Sequence, residues 1–265
     1  MFADERRQAI LGLVHSGGPV SLRELARRVG SSEVTVRRDL RLLADQGLVD
    51  RRHGGAAPPG GLGREAPYAE KADVAADEKA AMAEVALSLV DSGDAVTIGA
   101  GTTTQALARR LATCADLTVM TNSLLVAQAL AGARGVEVVL TGGSLRGPIL
   151  GLVGTAAEAS LVDVRTRRAF LSGNGLTGER GLSTPSAAVA GVDRAMVASA
   201  AELVVLADST KIGVDTMTLT ATTEEIDHLV TTTRAPAEQV ERLRELGVQV
   251  HLAEVPPRAE DAPPR

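Results

Sequence analysis

Through the first fifty residues apolar positions recur at helical spacing. Ile10, Leu11 and Val14 mark an amphipathic helix over 5–14, which stops at Ser16, Gly17, Gly18 and Pro19. Ser21 and Glu24 then stand at capping-box spacing, where hydroxyl and carboxylate satisfy amides at the head of a helix that ends at Gly30. A third helix starts from the N-cap Ser32 and places Val36, Leu40 and Leu43 at i, i+4 and i+7 before stopping at Gly47. In 48–56, apolar Leu48 and Val49 precede polar Arg51, Arg52 and His53, and Gly54 and Gly55 turn the chain. This predicts a small hairpin wing.

The pattern breaks at 56–63, where alanine, proline and glycine follow one another without periodicity, as in a linker. Beyond it, short branched runs at 95–98, 117–120, 136–140, 168–171, 203–207, 228–230 and 248–252 predict strands. Helical segments at 73–90, 103–112, 123–130, 155–162, 186–201 and 237–246 separate them. Alternation of this kind predicts a Rossmann-like α/β sheet. The expected organisation is a winged helix-turn-helix in 1–57, a linker in 58–70, an α/β domain in 71–254 and a disordered tail in 255–265.

Charge sharpens the division. The net charge is −5, yet the first sixty residues hold ten arginines against seven carboxylates, so the remainder carries −8. With Val36, Leu40 and Leu43 buried, Thr35, Arg37, Arg38 and Arg41 face away from the core, where a groove of DNA could meet them. Arginine outnumbers lysine 25 to 3 along the whole chain, so part of this richness is a general bias, and a merely solvated helix face is the plain alternative. Aromatic residues are confined to Phe2, Tyr68 and Phe170, too few for base stacking on single strands. One cysteine, Cys114, excludes an internal disulfide, and four scattered histidines do not suggest a metal cluster; no cofactor is expected. Asp4 and Glu5 precede any apolar run, unlike a signal peptide, and no apolar stretch approaches the roughly 18 residues of a membrane span. A cytoplasmic location is expected.

The clearest chemical signal is Gly99, Ala100, Gly101, Thr102, Thr103 and Thr104, between a predicted strand and helix. Glycines there admit close backbone approach, and a helix N-terminus favours an anion. The threonines would equally serve as plain helix caps. The loop lacks the Gly-Lys-Ser/Thr ending of a Walker motif. Polar loops follow the other strands as well: Thr121, Asn122 and Ser123; Thr141, Gly142, Gly143 and Ser144; Ser172, Gly173, Asn174 and Gly175; Asp208, Ser209, Thr210 and Lys211. In a parallel sheet these carboxyl ends are where ligands bind, so a small-molecule pocket is expected. There is no glycine-flanked serine elbow, and Asp208 with Lys211 would suit either acid/base chemistry or the binding of a phosphorylated sugar.

The run Ser32-Glu33-Val34-Thr35-Val36-Arg37-Arg38-Asp39-Leu40, followed by Gly47-Leu48-Val49 and Arg52-His53-Gly54-Gly55-Ala56, resembles the DNA-binding signature of the DeoR family of bacterial transcriptional regulators. The resemblance extends through Gly101 to Thr104, Thr121-Asn122-Ser123, Thr141-Gly142-Gly143, Gly181-Leu182-Ser183-Thr184-Pro185 and Ala207-Asp208-Ser209-Thr210-Lys211. It implies a repressor of a carbohydrate operon, acting as a homo-oligomer, dimer or tetramer, with a sensor domain similar to ribose-5-phosphate isomerase that binds a phosphorylated sugar. Ser21, Ser32, Glu33, Thr35, Arg37, Arg38, Arg41, Arg51, Arg52 and His53 would then meet operator DNA. Gly99, Gly101 to Thr104, Thr121 to Ser123, Gly142, Gly143, Gly173, Asn174, Asp208 and Lys211 would form the effector site. An isomerase-like enzyme with an appended DNA-binding domain is the alternative. The chain departs from the family at three positions: Gly99 stands where aspartate is common, Val189 where an acidic residue is usual and Asp193 where a lysine is usual.

Overall fold

A computed structural model describes residues 3–17, 20–45, 48–52, 54–57 and 67–255. The chain divides into two compact units, Met1–Arg64 and Glu65–Arg265.

In the first unit, α1 (Ala3–Gly17), α2 (Leu22–Arg28) and α3 (Glu33–Asp45) enclose a small core of Ile10, Val14, Leu25, Val36, Leu40 and Leu43. Strands β1 (Val20–Ser21), β2 (Asp50–Arg52) and β3 (Gly55–Ala57) form an antiparallel sheet in the order β1-β3-β2. The wing thus gains a short strand from before α2, too brief for any alternation to announce it. Ser21 caps α2 by accepting from the Glu24 amide at 3.2 Å. The carboxylate half of the expected capping box is spent otherwise: Glu24 takes Arg27 and Arg28, and the Arg27 hydrogen bond chiefly holds its carboxyl below the usual range. Asp39 is buried on α3 and accepts from Arg6 at 2.6 Å and Arg7 at 3.3 Å, tying α1 to α3.

The second unit opens with α4 (Tyr68–Ala72) and α5 (Ala76–Leu87) and continues through β4 (Ala95–Ile98), α6 (Thr102–Leu111), β5 (Leu117–Thr121), α7 (Leu124–Leu130) and β6 (Val136–Leu140). A hairpin of β7 (Ser144–Arg146) and β8 (Gly151–Val153) precedes α8 (Thr155–Ala159) and β9 (Thr166–Leu171). There follow β10 (Gly175–Thr177), β11 (Gly181–Thr184), α9 (Ala187–Ser199), β12 (Ala200–Leu206), β13 (Thr218–Ala221), β14 (His228–Thr232), α10 (Ala237–Glu245) and β15 (Gln249–Ala253). The principal sheet is seven-stranded and parallel throughout, in the order β15-β14-β12-β9-β4-β5-β6, and β10, β11 and β13 form a separate antiparallel sheet.

Both faces of the parallel sheet are covered, so its central strands are apolar on both sides. Phe170, Val204 and Leu206 pack with Met82 of α5 and Leu107 and Leu111 of α6, while Ala169, Leu171, Leu203 and Val205 pack with Val192 and Met196 of α9. Helix α4 lies where the linker was expected to run to residue 70. Residues 58–66, His53 and the tail beyond Val255 lie outside the described residues, as do the side chains of Arg51 and Arg52. Among the described residues no helix is long and apolar enough to cross a membrane.

Candidate functional site

On α3 the buried stripe of Val36, Asp39, Leu40 and Leu43 leaves Val34, Arg37, Arg38 and Arg41 on the opposite, exposed side. These four positions follow i, i+3, i+4, i+7 and so form one continuous ridge. None of the three arginines has an ion-pair partner among the described residues. Val34 is 74% exposed, an apolar side chain held in water at the head of the ridge. The sequence reading passed over it, although its offset from Val36 and Leu40 already puts it off the core stripe. Ser32 caps α3, accepting from the Thr35 amide at 3.2 Å and sharing a 2.8 Å hydrogen bond with the Thr35 hydroxyl. Glu33 is exposed beside them.

In the second unit a cavity opens at the carboxyl edge of the parallel sheet, between the loops that follow β4 and β9. It is lined by Ala100, Gly101 and Thr102 from the first loop, Ser172, Gly173 and Asn174 from the second, and Lys211 from the loop after β12. Numbered by order along the chain, the seven strands run 3-2-1-4-5-6-7 across the sheet, and β4 and β9 are the pair at which the winding reverses. Loops on either side of that point leave in opposite directions and part to form a crevice.

Gly101 is the N-cap of α6, with no side-chain hydrogen bond to its first-turn amides. The capping role left open for the threonines is therefore unfilled: Thr104 donates back to the Gly101 carbonyl, Thr103 is wholly buried, and only Thr102 reaches the cavity. Lys211 donates to the Ser172 hydroxyl at 3.2 Å and lies 3.8 Å from Asp208. Asp208 is buried, bonds the amide and hydroxyl of Thr210, and does not line the cavity.

The remaining predicted positions serve the frame around this cavity. Thr121 donates to the Ile98 carbonyl and accepts from the Ser123 amide, Asn122 donates to the Leu152 carbonyl, and Ser123 caps α7. Gly143 has φ +116°, and a Cβ there would meet the Val153 carbonyl at 2.6 Å, so the loop after β6 is shaped by its contact with β8. At Gly99 a Cβ would come within 2.6 Å of Leu171, which occupies the space that the family's common aspartate would need. Val189 and Asp193, the other two departures, both face the cavity from α9.

Lining residues that were not assigned to the site in advance come from further elements: Pro148 and Ile149 from the β7–β8 hairpin, Tyr68 and Lys71 from α4, and Thr184 from the end of β11. Two buried charges beneath them were also missed. Glu78, 1% exposed, accepts from the Ser209 amide and hydroxyl and from Thr232 at 2.7–3.0 Å, fixing the loop that carries Lys211. Lys79, 4% exposed, donates to the carbonyls of Lys71 at 2.6 Å and Val74 at 2.5 Å. Burial pushes the Lys79 ammonium down to about 8; the charge of Lys211 acts in the same direction, and Asp208, Asp73 and Glu78 oppose it.

Residues 6–59 match the DeoR-like helix-turn-helix domain and residues 74–233 the DeoR C terminal sensor domain. The chain is 37% identical over 250 residues to the HTH-type transcriptional regulator GlpR of Haloferax volcanii, covering 94% of this chain and 98% of that protein. It is 34% identical over 250 residues to a putative aga operon transcriptional repressor of Escherichia coli O157:H7, covering 94% and 93% respectively. Among solved structures, ribose 5-phosphate isomerase A from Methanocaldococcus jannaschii overlaps 50% of this chain and 52% of its own, at 17% identity and a TM-score of 0.38.

The depressed Lys79 has a measurable signature. Between pH 8 and 10.5 the unfolded chain keeps a proton that the folded chain has released, so this group's contribution to folded stability rises with pH across that window. In urea unfolding, the stability of the wild type relative to Lys79→Met should therefore increase as the pH is raised from below about 8 towards 10.5. A difference independent of pH would contradict the assignment.

Proposed function

The chain belongs to the DeoR family of transcriptional regulators, and we propose that it is a repressor of a carbohydrate operon whose grip on DNA is set by a phosphorylated sugar bound at the β4–β9 crevice. The observation that carries the effector reading is the meeting of Lys211 with the uncapped amino end of α6 in one cavity. A helix N-terminus favours an anion through its unpaired amides and its dipole, and an ammonium opposite adds charge. Gly101, Thr102, Gly173, Asn174 and Lys211 would touch the effector. Gly99, Thr103, Thr104, Thr121, Asn122, Ser123, Gly142, Gly143 and Asp208 would hold the loops that present them.

Operator recognition falls to the α3 ridge. Arg37, Arg38 and Arg41 offer guanidinium groups to phosphates or guanine edges, and Val34 offers a methyl surface suited to a thymine methyl. Ser32, Glu33 and Thr35 lie at the start of α3 beside that ridge, Ser21 caps α2, and Arg51 and Arg52 lie on β2 of the wing; with His53, which lies outside the described residues, they would complete the contacts to operator DNA. One helix and one wing make a small interface, so two half-sites and hence a homo-oligomer, dimer or tetramer, are expected. The exposed Val139 and Leu140 on the edge strand β6 favour such association. The sensor unit has no catalytic task in this reading: Asp208, the base an isomerase-like reaction would need, is buried against Thr210 and outside the cavity lining.

Two outcomes test this. Arg37→Ala and Arg38→Ala should each cost about 1–3 kcal/mol of affinity for the DNA upstream of the chain's own gene, with a base contact relaxing specificity and a phosphate contact flattening the salt slope. Gel-shift titrations that match the parent would remove α3 as the reading helix. Phosphosugars, and not the corresponding free sugars, should raise the melting temperature in a thermal-shift screen, with the shift reduced in Lys211→Ala and no isomerised product formed. Equal shifts from the free sugars would place the effector elsewhere.

A further inference from the structure

The segment between the linker and α5 is both a wall of the cavity and a tethered strap. Tyr68 and Lys71 line the cavity. The Tyr68 hydroxyl donates to Gln105 at 2.8 Å, on the same α6 whose amino end faces the crevice, and Lys79 holds the far part of the strap through the carbonyls of Lys71 and Val74. The strap joins α5 through Ala75, which has φ 52°, a left-handed conformation that alanine avoids and that persists only where neighbouring contacts enforce it. The residue preceding Lys79 is Glu78, which grips the Ser209 end of the loop bearing Lys211. Two consecutive buried charges in the first turn of α5 therefore hold, respectively, the anion-facing loop and the strap that continues into the linker.

We propose that Glu78 and Lys79 form a relay: an anion bound beside Lys211 is sensed through them by residues 67–75, and Tyr68 and Lys71 of that strap contact the bound effector. This rests on the sugar-phosphate reading above and adds the route by which binding leaves the pocket. The physical link is electrostatic. Lys211 repels the Lys79 ammonium, whose charge burial already disfavours. A negative ligand at Lys211 offsets that repulsion, favours the charged amine and strengthens its two hydrogen bonds to the strap. The strap seats more firmly when the site is filled, and it is the part of the sensor unit that leads directly to the DNA-binding unit along the chain.

The test is hydrogen–deuterium exchange on the full chain with inorganic phosphate as the probe, alongside calorimetry of phosphate binding. In the wild type, phosphate should slow exchange of the amides in 68–75 about fivefold or more. In Lys79→Met, phosphate should bind within about threefold of the wild-type affinity while the strap gains no protection, and Lys79→Arg should restore part of the response. Phosphate binding without strap protection in the wild type, or with the same protection in Lys79→Met, overturns the relay and leaves the anion site standing. Should Lys79→Met fail to fold, Lys79→Gln takes its place, and phosphate binding without strap protection in the wild type overturns the relay in either case. Absence of phosphate binding by calorimetry overturns the anion reading and the relay together.

Discussion

Strand order is the constraint from which the site follows. Because β4 and β9 are neighbours although more than sixty residues separate them, the chain winds outward in both directions from that pair, and only there do successive loops part. The Gly101 loop and the Ser172–Asn174 loop border the resulting crevice, and Lys211 reaches it because β12 lies next to β9. The loops after β5 and β6 sit further along the other wing of the sheet. The polar residues after β5 bind backbone instead, as when Asn122 donates to the Leu152 carbonyl.

Around that crevice the chain places charges where charge is costly. An isolated buried carboxylate or ammonium is strongly disfavoured, and each is tolerated only when its hydrogen-bonding capacity is met. Glu78 meets this with Ser209 and Thr232, Lys79 with two carbonyls, and Asp208 with Thr210. Asp39 plays the same part in the small unit, where Arg6 and Arg7 neutralise it. Such groups fix loop positions with a directionality that apolar packing lacks.

Much of this was legible from the sequence. The strand at 95–98 falls where the branched run places it, because a strand covered on both faces is largely apolar; the edge strand at 136–140 falls on its branched run too, although Val139 and Leu140 are exposed; and the Val36, Leu40, Leu43 stripe marks the outward face of α3. Strands such as β7, β10 and β11 were missed because runs of three or four residues carry no readable alternation. Strand order was invisible for a deeper reason: it depends on pairings between distant residues that leave no local trace. Only the loops after β4, β9 and β12 line the cavity among the five polar loops, and the contribution of Tyr68, at the end of the expected linker, and of Lys71, just beyond it, was missed. Nothing in the sequence marks Glu78 and Lys79 out, since sequence position says nothing about which turn of a helix lies under a loop.

The proposed function joins an anion site to a DNA-reading surface within one chain. The most direct measurement is the affinity of the full chain for the DNA upstream of its own gene, by fluorescence anisotropy at fixed ionic strength, with and without a saturating phosphosugar identified by its thermal shift. The account predicts a change of about fivefold or more, the usual scale of allosteric coupling. Identical affinities with and without the bound phosphosugar would contradict it.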